Sequence, residues 1–278
     1  MTLLVSILIL ALLWVLAVRG RSGHPGMKDL LGWSYAHRGL HGDGAAENSL
    51  TAFRLAVENG YGMELDLHLL KDGNLAVMHD SLLNRTTGQA GRMEDLTTDD
   101  LKNYRLEGTE DTIPEFMDVL TLVNGKVPLI IELKPVDGNH ARLAQTACKM
   151  LEGYKGVFCI ESFDPRCVAW LRKNRPDIIR GQLSENFFKD RTDLSDGLKF
   201  LLTHNLLNFY AQPDFIAYHF ATRNDTLSNR ICRKLWHVQG VSWTLRSRED
   251  YDTAVQEGWL PIFEGFLPDK PRLPEGEE

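Results

Sequence analysis

Short apolar runs alternate with amphipathic stretches along nearly the whole chain. Runs with strand character fall near 34–38, 61–67, 128–133, 157–162, 178–182, 214–218, 239–244 and 260–264. Helical spacing fills the intervals between them, and no linker marks a second domain. Strands alternating with helices predict a parallel sheet of the α/β class, and eight strands is the number that closes a (β/α)₈ TIM barrel. A length of 278 residues suits one such barrel.

Local signals place several helices. Asn48 or Ser49 caps a first helix whose apolar positions are Leu50, Phe53, Ala56 and Val57, and Asn59-Gly60 stops it. A helix from about 140 to 152 ends at Gly153, and Asp164-Pro165 opens the next. Leu198, Leu201, Leu202 and Leu206 recur at helical spacing, so 184–212 holds the helix between the fifth and sixth barrel strands. The stretch of about 80–112 is longer than a simple link and reads as a small insertion after the second strand. It ends where Thr112 caps a helix beginning near Pro114.

Leu3 to Val18 is apolar apart from Ser6. As a helix this run spans about 24 Å, against roughly 30 Å for a bilayer core. Arg19, Arg21 and Lys28 follow the run instead of preceding it, which favours an uncleaved N-terminal transmembrane anchor over a signal peptide. The same basic residues predict a catalytic body on the cytoplasmic side. The expected division is a transmembrane segment at 1–19, a linker at 20–32 and the barrel at 33–278.

Composition changes this picture little. At 43% hydrophobic and 25% charged the chain can bury a large core. A net charge of −7 argues against a nucleic-acid partner. The four cysteines lack metal-site spacing and read as reduced thiols.

The chemistry lies in three short motifs, His37-Arg38-Gly39, Glu64-Leu65-Asp66 and His79-Asp80. Side chains alternate along a strand, so Glu64 and Asp66 leave one face while Leu65 and Leu67 leave the other. Two acids among apolar neighbours need a cation or a proton. Further pieces follow in order: Glu47-Asn48-Ser49, Lys71-Asp72-Gly73, Asn84-Arg85-Thr86-Thr87-Gly88, Glu132-Leu133-Lys134-Pro135, Glu161-Ser162-Phe163 and Trp243-Thr244.

Taken together, over roughly residues 33–265, these motifs resemble the glycerophosphodiester phosphodiesterase family. The resemblance implies a TIM barrel, a small-molecule glycerophosphodiester as substrate, its hydrolysis to an alcohol and glycerol 3-phosphate, and dependence on Mg²⁺ or Ca²⁺. Glu64, Asp66 and Glu132 are the expected metal ligands, since an all-carboxylate set favours a hard cation. Glu47 is a possible fourth ligand, or else it orders the first helix. His37 and His79 are the expected acid and base, because imidazole titrates near neutral pH. Arg38 and Lys134 would balance phosphoryl charge, and Phe163 and Trp243 would wall the substrate pocket.

The chain departs from the family pattern at the eighth strand, which ends Phe263-Glu264-Gly265 where a Thr-Asp or Thr-Asn step is usual. This leaves substrate preference open. Two other readings compete: a diesterase acting on lysophospholipid in a membrane, and a catalytically silent barrel serving as a membrane-bound binding module.

Overall fold

The computed structural model describes residues 2–190 and 194–269. Nine strands form one sheet: β1 (Tyr35–Ala36), β2 (Gly62–Leu69), β3 (Leu75–Val77), β4 (Leu129–Leu133), β5 (Phe158–Ser162), β6 (Arg180–Ser184), β7 (Phe215–His219), β8 (Gln239–Leu245) and β9 (Trp259–Phe263). β1 pairs in parallel with both β2 and β9, so eight parallel strands close into the expected barrel. β3 stands outside it, antiparallel to β2.

Strand parity sorts the core into layers. Met63, Leu65 and Leu67 face outward and pack with Phe53 and Ala56 of the helix Leu50–Glu58 and with Val119 and Val123 of Phe116–Val123. Inside the barrel lie Tyr35, Ile130, Cys159, Phe215, Val241 and Ile262. Phe215 reaches the axis because Gly181 lies opposite. A Cβ at 181 would sit 2.1 Å from the ring. Along β4 the inward face passes from Ile130 to Glu132, and along β5 from Cys159 to Glu161. The interior is therefore apolar at its lower end and acidic at the rim where barrel enzymes carry their chemistry.

The predicted caps hold locally. Ser49 Oγ accepts from Ala52 N at 3.1 Å, and Asp164 accepts from Arg166 N at 2.9 Å with Pro165 next in the helix. One start shifts: Pro114 O accepts from Val77 N at 3.0 Å, which keeps the chain extended beside β3 until the helix begins at Phe116. β3 lies just before the stretch of about 80–112 and packs with it. Leu70, Ala76, Met78, Leu83, Met93, Leu101 and Ile113 give it a small core of its own.

The N-terminal expectation requires correction. The first helix, Thr2–Ala17, has 16 residues, and among the described residues no helix is long and apolar enough to cross a membrane. The transmembrane anchor, the membrane partnership and the cytoplasmic placement derived from it are accordingly set aside. The helix end packs on the barrel instead: Trp14 Nε1 donates to Ser228 Oγ at 2.9 Å, and Trp236 Nε1 donates to Val15 O at 2.9 Å. The stretch expected as a linker runs under the barrel, where Arg21 pairs with Asp214 and Tyr35 Oη donates to Leu30 O at 2.8 Å.

Candidate active site

Strand register brings the acids together. Asp66 of β2 lies beside Glu132 of β4, and Glu132 beside Glu161 of β5, so three carboxylates form a row across neighbouring strands. Glu64 is one inward position below Asp66. Glu64, Asp66 and Glu132 are all buried and each offers an oxygen within 4.8 Å of the others.

His37 follows β1 directly. Its Nδ1 hydrogen-bonds Glu264 Oε2 at 2.6 Å, while Nε2 faces Glu64 Oε2 at 3.9 Å. The turn after it needs a left-handed backbone at Arg38, with φ of 55°. Gly39 then has φ of 81° and approaches the helix Leu50–Glu58 closely, where a Cβ would sit 2.9 Å from Ala52 Cβ. This geometry lets Arg38 N donate to Glu64 Oε2 at 3.0 Å.

His79 lines the same cavity as His37. Its Nδ1 pairs with Asp80 Oδ1 at 2.7 Å, and Asp80 is in turn held by Arg85. Arg85 donates to both oxygens of Glu47, at 2.6 and 2.9 Å, and Arg38 donates to the same two at 3.0 and 3.1 Å. Glu47, the possible fourth metal ligand, thus lies outside the three-carboxylate cluster and ties two arginines together. Asn48 Nδ2 donates to Asp66 Oδ2 at 2.8 Å. His68 is buried, bonded to Glu94 at 2.8 Å, and supports the His79 backbone carbonyl at 3.3 Å.

The electrostatics are those of crowded buried charge. Lys134 Nζ reaches Glu132 at 2.8 Å and Asp66 at 3.1 Å, and these carboxylates hold its pKa up against the effect of burial. Burial pushes Glu132 up to about 7 despite that ammonium. Burial, followed by repulsion from neighbouring acids, raises Glu64 and Glu161 well above the usual carboxylate range. Asp66 is the exception: the charges of Lys134, His79 and Arg38 outweigh burial and hold it low. Burial lowers His37 to about 4, even with Glu264 attached, and burial with Lys134 lowers His79.

Glu161 Oε2 is buried without a hydrogen-bond partner. An acid row carrying more carboxylate than Lys134 and Arg38 can neutralise, with an oxygen left unpaired, fits a bound hard cation. The donor set is all oxygen, which suits Mg²⁺ or Ca²⁺ better than a softer metal.

Phe163 and Trp243 stand edge to face with centroids 5.5 Å apart, and Trp243 also meets the His219 ring at 5.1 Å. Together with His37, Arg38, Glu64, His79 and Glu132 they enclose a cavity of about 140 Å³.

Comparison with known proteins identifies the family of the chain. The profile of the Glycerophosphoryl diester phosphodiesterase family matches residues 37–263. The chain is a member of that family. Among its relatives, the uncharacterized protein YqiK of Bacillus subtilis is 40% identical over 247 residues, covering 84% of this chain and 94% of that one. Glycerophosphodiester phosphodiesterase 1 of Bos taurus is 28% identical over 77% of this chain and 72% of its own. A third match, the glycerophosphodiester phosphodiesterase of Bacillus altitudinis, is 40% identical but spans only 36% of this chain and 43% of that one. Among solved structures, an Oleispira antarctica phosphodiesterase in complex with the product sn-glycerol-3-phosphate shares the fold. Its TM-score is 0.70 at 21% identity, over 85% of this chain and 94% of that one.

Three residues that the sequence presents within motifs but without an evident role also enter the site: Glu161, Glu264 and Arg85. Glu161 repeats on β5 the pattern of Glu132 on β4, an inward acid near a strand's end, and that parity was the available signal. Glu264 follows β9, the strand that pairs with β1, so barrel closure places it beside His37. Arg85 comes from the insertion, and no local pattern announces its reach to Glu47.

Proposed function

We propose that this protein hydrolyses glycerophosphodiesters to an alcohol and sn-glycerol 3-phosphate, in glycerophospholipid turnover, with Mg²⁺ or Ca²⁺ as cofactor. The observation that carries the reading is the convergence of Glu64, Asp66 and Glu132 between the His37 and His79 imidazoles. A hard divalent cation bound there would neutralise the carboxylates and draw charge from the phosphoryl oxygens. Arg38 and Lys134 add fixed positive charge beside it.

The glycerol hydroxyl next to the phosphate forms the new bond to phosphorus, giving its proton to one imidazole. The bond from phosphorus to the departing alcohol breaks, and that alkoxide takes a proton from the other imidazole. Water then opens the cyclic phosphate as the protons run back. Burial keeps His37 neutral at pH 7, ready to accept at Nε2, with Glu264 fixing Nδ1. The diester's negative charge favours the protonated form of His79.

The test is release of glycerol 3-phosphate from glycerophosphoethanolamine by purified protein. Turnover is expected with Mg²⁺ or Ca²⁺ and none with chelator, and His37→Ala should lower kcat by roughly 10³-fold. Absence of turnover with every divalent cation, or a His37→Ala variant as active as the parent, would overturn the reading.

A further inference from the structure

A second, much larger cavity opens beside the first. It measures about 1110 Å³ against about 140 Å³, and His79, Glu132 and Phe163 belong to both. Its far wall is apolar, built from Leu198 and Leu202 of the helix Asp196–Thr203, with Leu207, Tyr210 and, from the insertion, Leu82. Leu82 is 57% exposed, Leu198 38% and Tyr210 47%. Three large apolar side chains left in water around one mouth mark a surface that takes an apolar ligand. Asp80, Arg85, Asp164 and Arg166 line it too, as a polar rim.

The small cavity carries His37, Glu64, Glu132 and Glu161 between the aromatic walls of Phe163 and Trp243, and it is much the smaller of the two. The large one adjoins it at His79, Glu132 and Phe163, and Lys134 lines the large one as well. We infer that the large cavity receives the alcohol that departs, and that this alcohol carries an alkyl or acyl chain lying along Leu198, Leu202, Leu207 and Leu82. The inference rests on the phosphodiesterase reading and deepens it by naming the leaving group. It also gives His79 the part of the acid, since His79 borders both spaces and protonates the alkoxide as its bond to phosphorus breaks. The proton first released by the glycerol hydroxyl goes to His37.

The test uses glycerophosphodiesters whose leaving alcohol lengthens from ethanol through butanol to hexanol. Each methylene laid on the apolar wall should lower KM roughly threefold, with kcat changing little. Leu198→Gln and Leu82→Gln, at exposed positions on two separate elements, should each reduce the hexyl-to-ethyl ratio of kcat/KM at least tenfold. A flat chain-length series overturns the inference, and so does faster cleavage when the chain is moved to the glycerol, as in a lysophospholipid. Calorimetry with octyl phosphate and ethyl phosphate reads the same cavity without turnover. Octyl phosphate should bind at least tenfold tighter in the presence of Mg²⁺, and equal affinity overturns the inference. Failure of every diester to turn over while octyl phosphate keeps its advantage would count against the catalytic reading and not against the cavity.

Discussion

Glu264 closes the barrel chemically as well as topologically: its Oε2 lies 2.6 Å from His37 Nδ1, across the seam between the last strand and the first. Burial raises the Glu264 carboxyl, but the bond from His37 and the pairing with Arg246 outweigh it and hold it at about 2. The carboxylate therefore stays ionised and fixes which ring nitrogen of His37 carries the proton. Glu264→Ala should lower kcat by roughly 10²-fold or more, with KM little changed, in steady-state assays on glycerophosphoethanolamine. An unchanged kcat would remove Glu264 from this role.

Lys134 is the internal counter-ion of the acid row, in contact with both Glu132 and Asp66. Replacing it with Met leaves buried carboxylates uncompensated, which typically costs about 3–5 kcal/mol. Thermal denaturation of chelator-treated Lys134→Met should show a lower midpoint than the parent. Added Ca²⁺ should recover part of the loss, because the cation takes over the neutralisation. A midpoint equal to the parent's would contradict the ion arrangement.

The metal-free protein should lose stability relative to the cation-bound protein as pH rises through the neutral range. Glu132 moves from an ordinary value of 4.5 to about 7 on folding, mainly through burial, and Glu64 and Glu161 move the same way. A carboxyl raised on folding favours the folded state fully below its unfolded value and loses that contribution as pH passes its folded value. Between about pH 4.5 and 7 the midpoint of the chelated protein should fall relative to that of the Ca²⁺-saturated protein, in which the cation has displaced those protons. Parallel curves with and without cation would show that the carboxylates are not where metal and protons compete.

Trp243 stands against Phe163 and His219, and its indole walls the small cavity. Trp243→Ala should raise KM for glycerophosphoethanolamine roughly tenfold with a smaller effect on kcat. A change confined to thermal stability would make the indole a packing residue alone.

Much of this was legible in the chain, for a physical reason in each case. Period-two parity placed Glu64 and Asp66 on one face, and strand alternation foretold the closed barrel, because both follow from backbone geometry that every residue obeys. What stayed hidden depended on meetings between distant segments. Arg85 finds Glu47 only once the insertion folds over the segment that leads into the helix Leu50–Glu58, and Glu264 finds His37 only when the seam closes. The N-terminal run misled because apolar composition alone does not distinguish a membrane helix from one whose end docks through Trp14 and Val15 on the barrel.

In the proposed site, buried acids from separate strands hold one cation between two imidazoles. A crystal structure of the protein soaked with Ca²⁺ and glycerol 3-phosphate tests it most directly. The expected result is a cation bonded to oxygens of Glu64, Asp66 and Glu132, with the phosphate between His37 and His79. A cation bound elsewhere, for instance among His37, His41 and Glu264, which also converge within 4.8 Å, would contradict it.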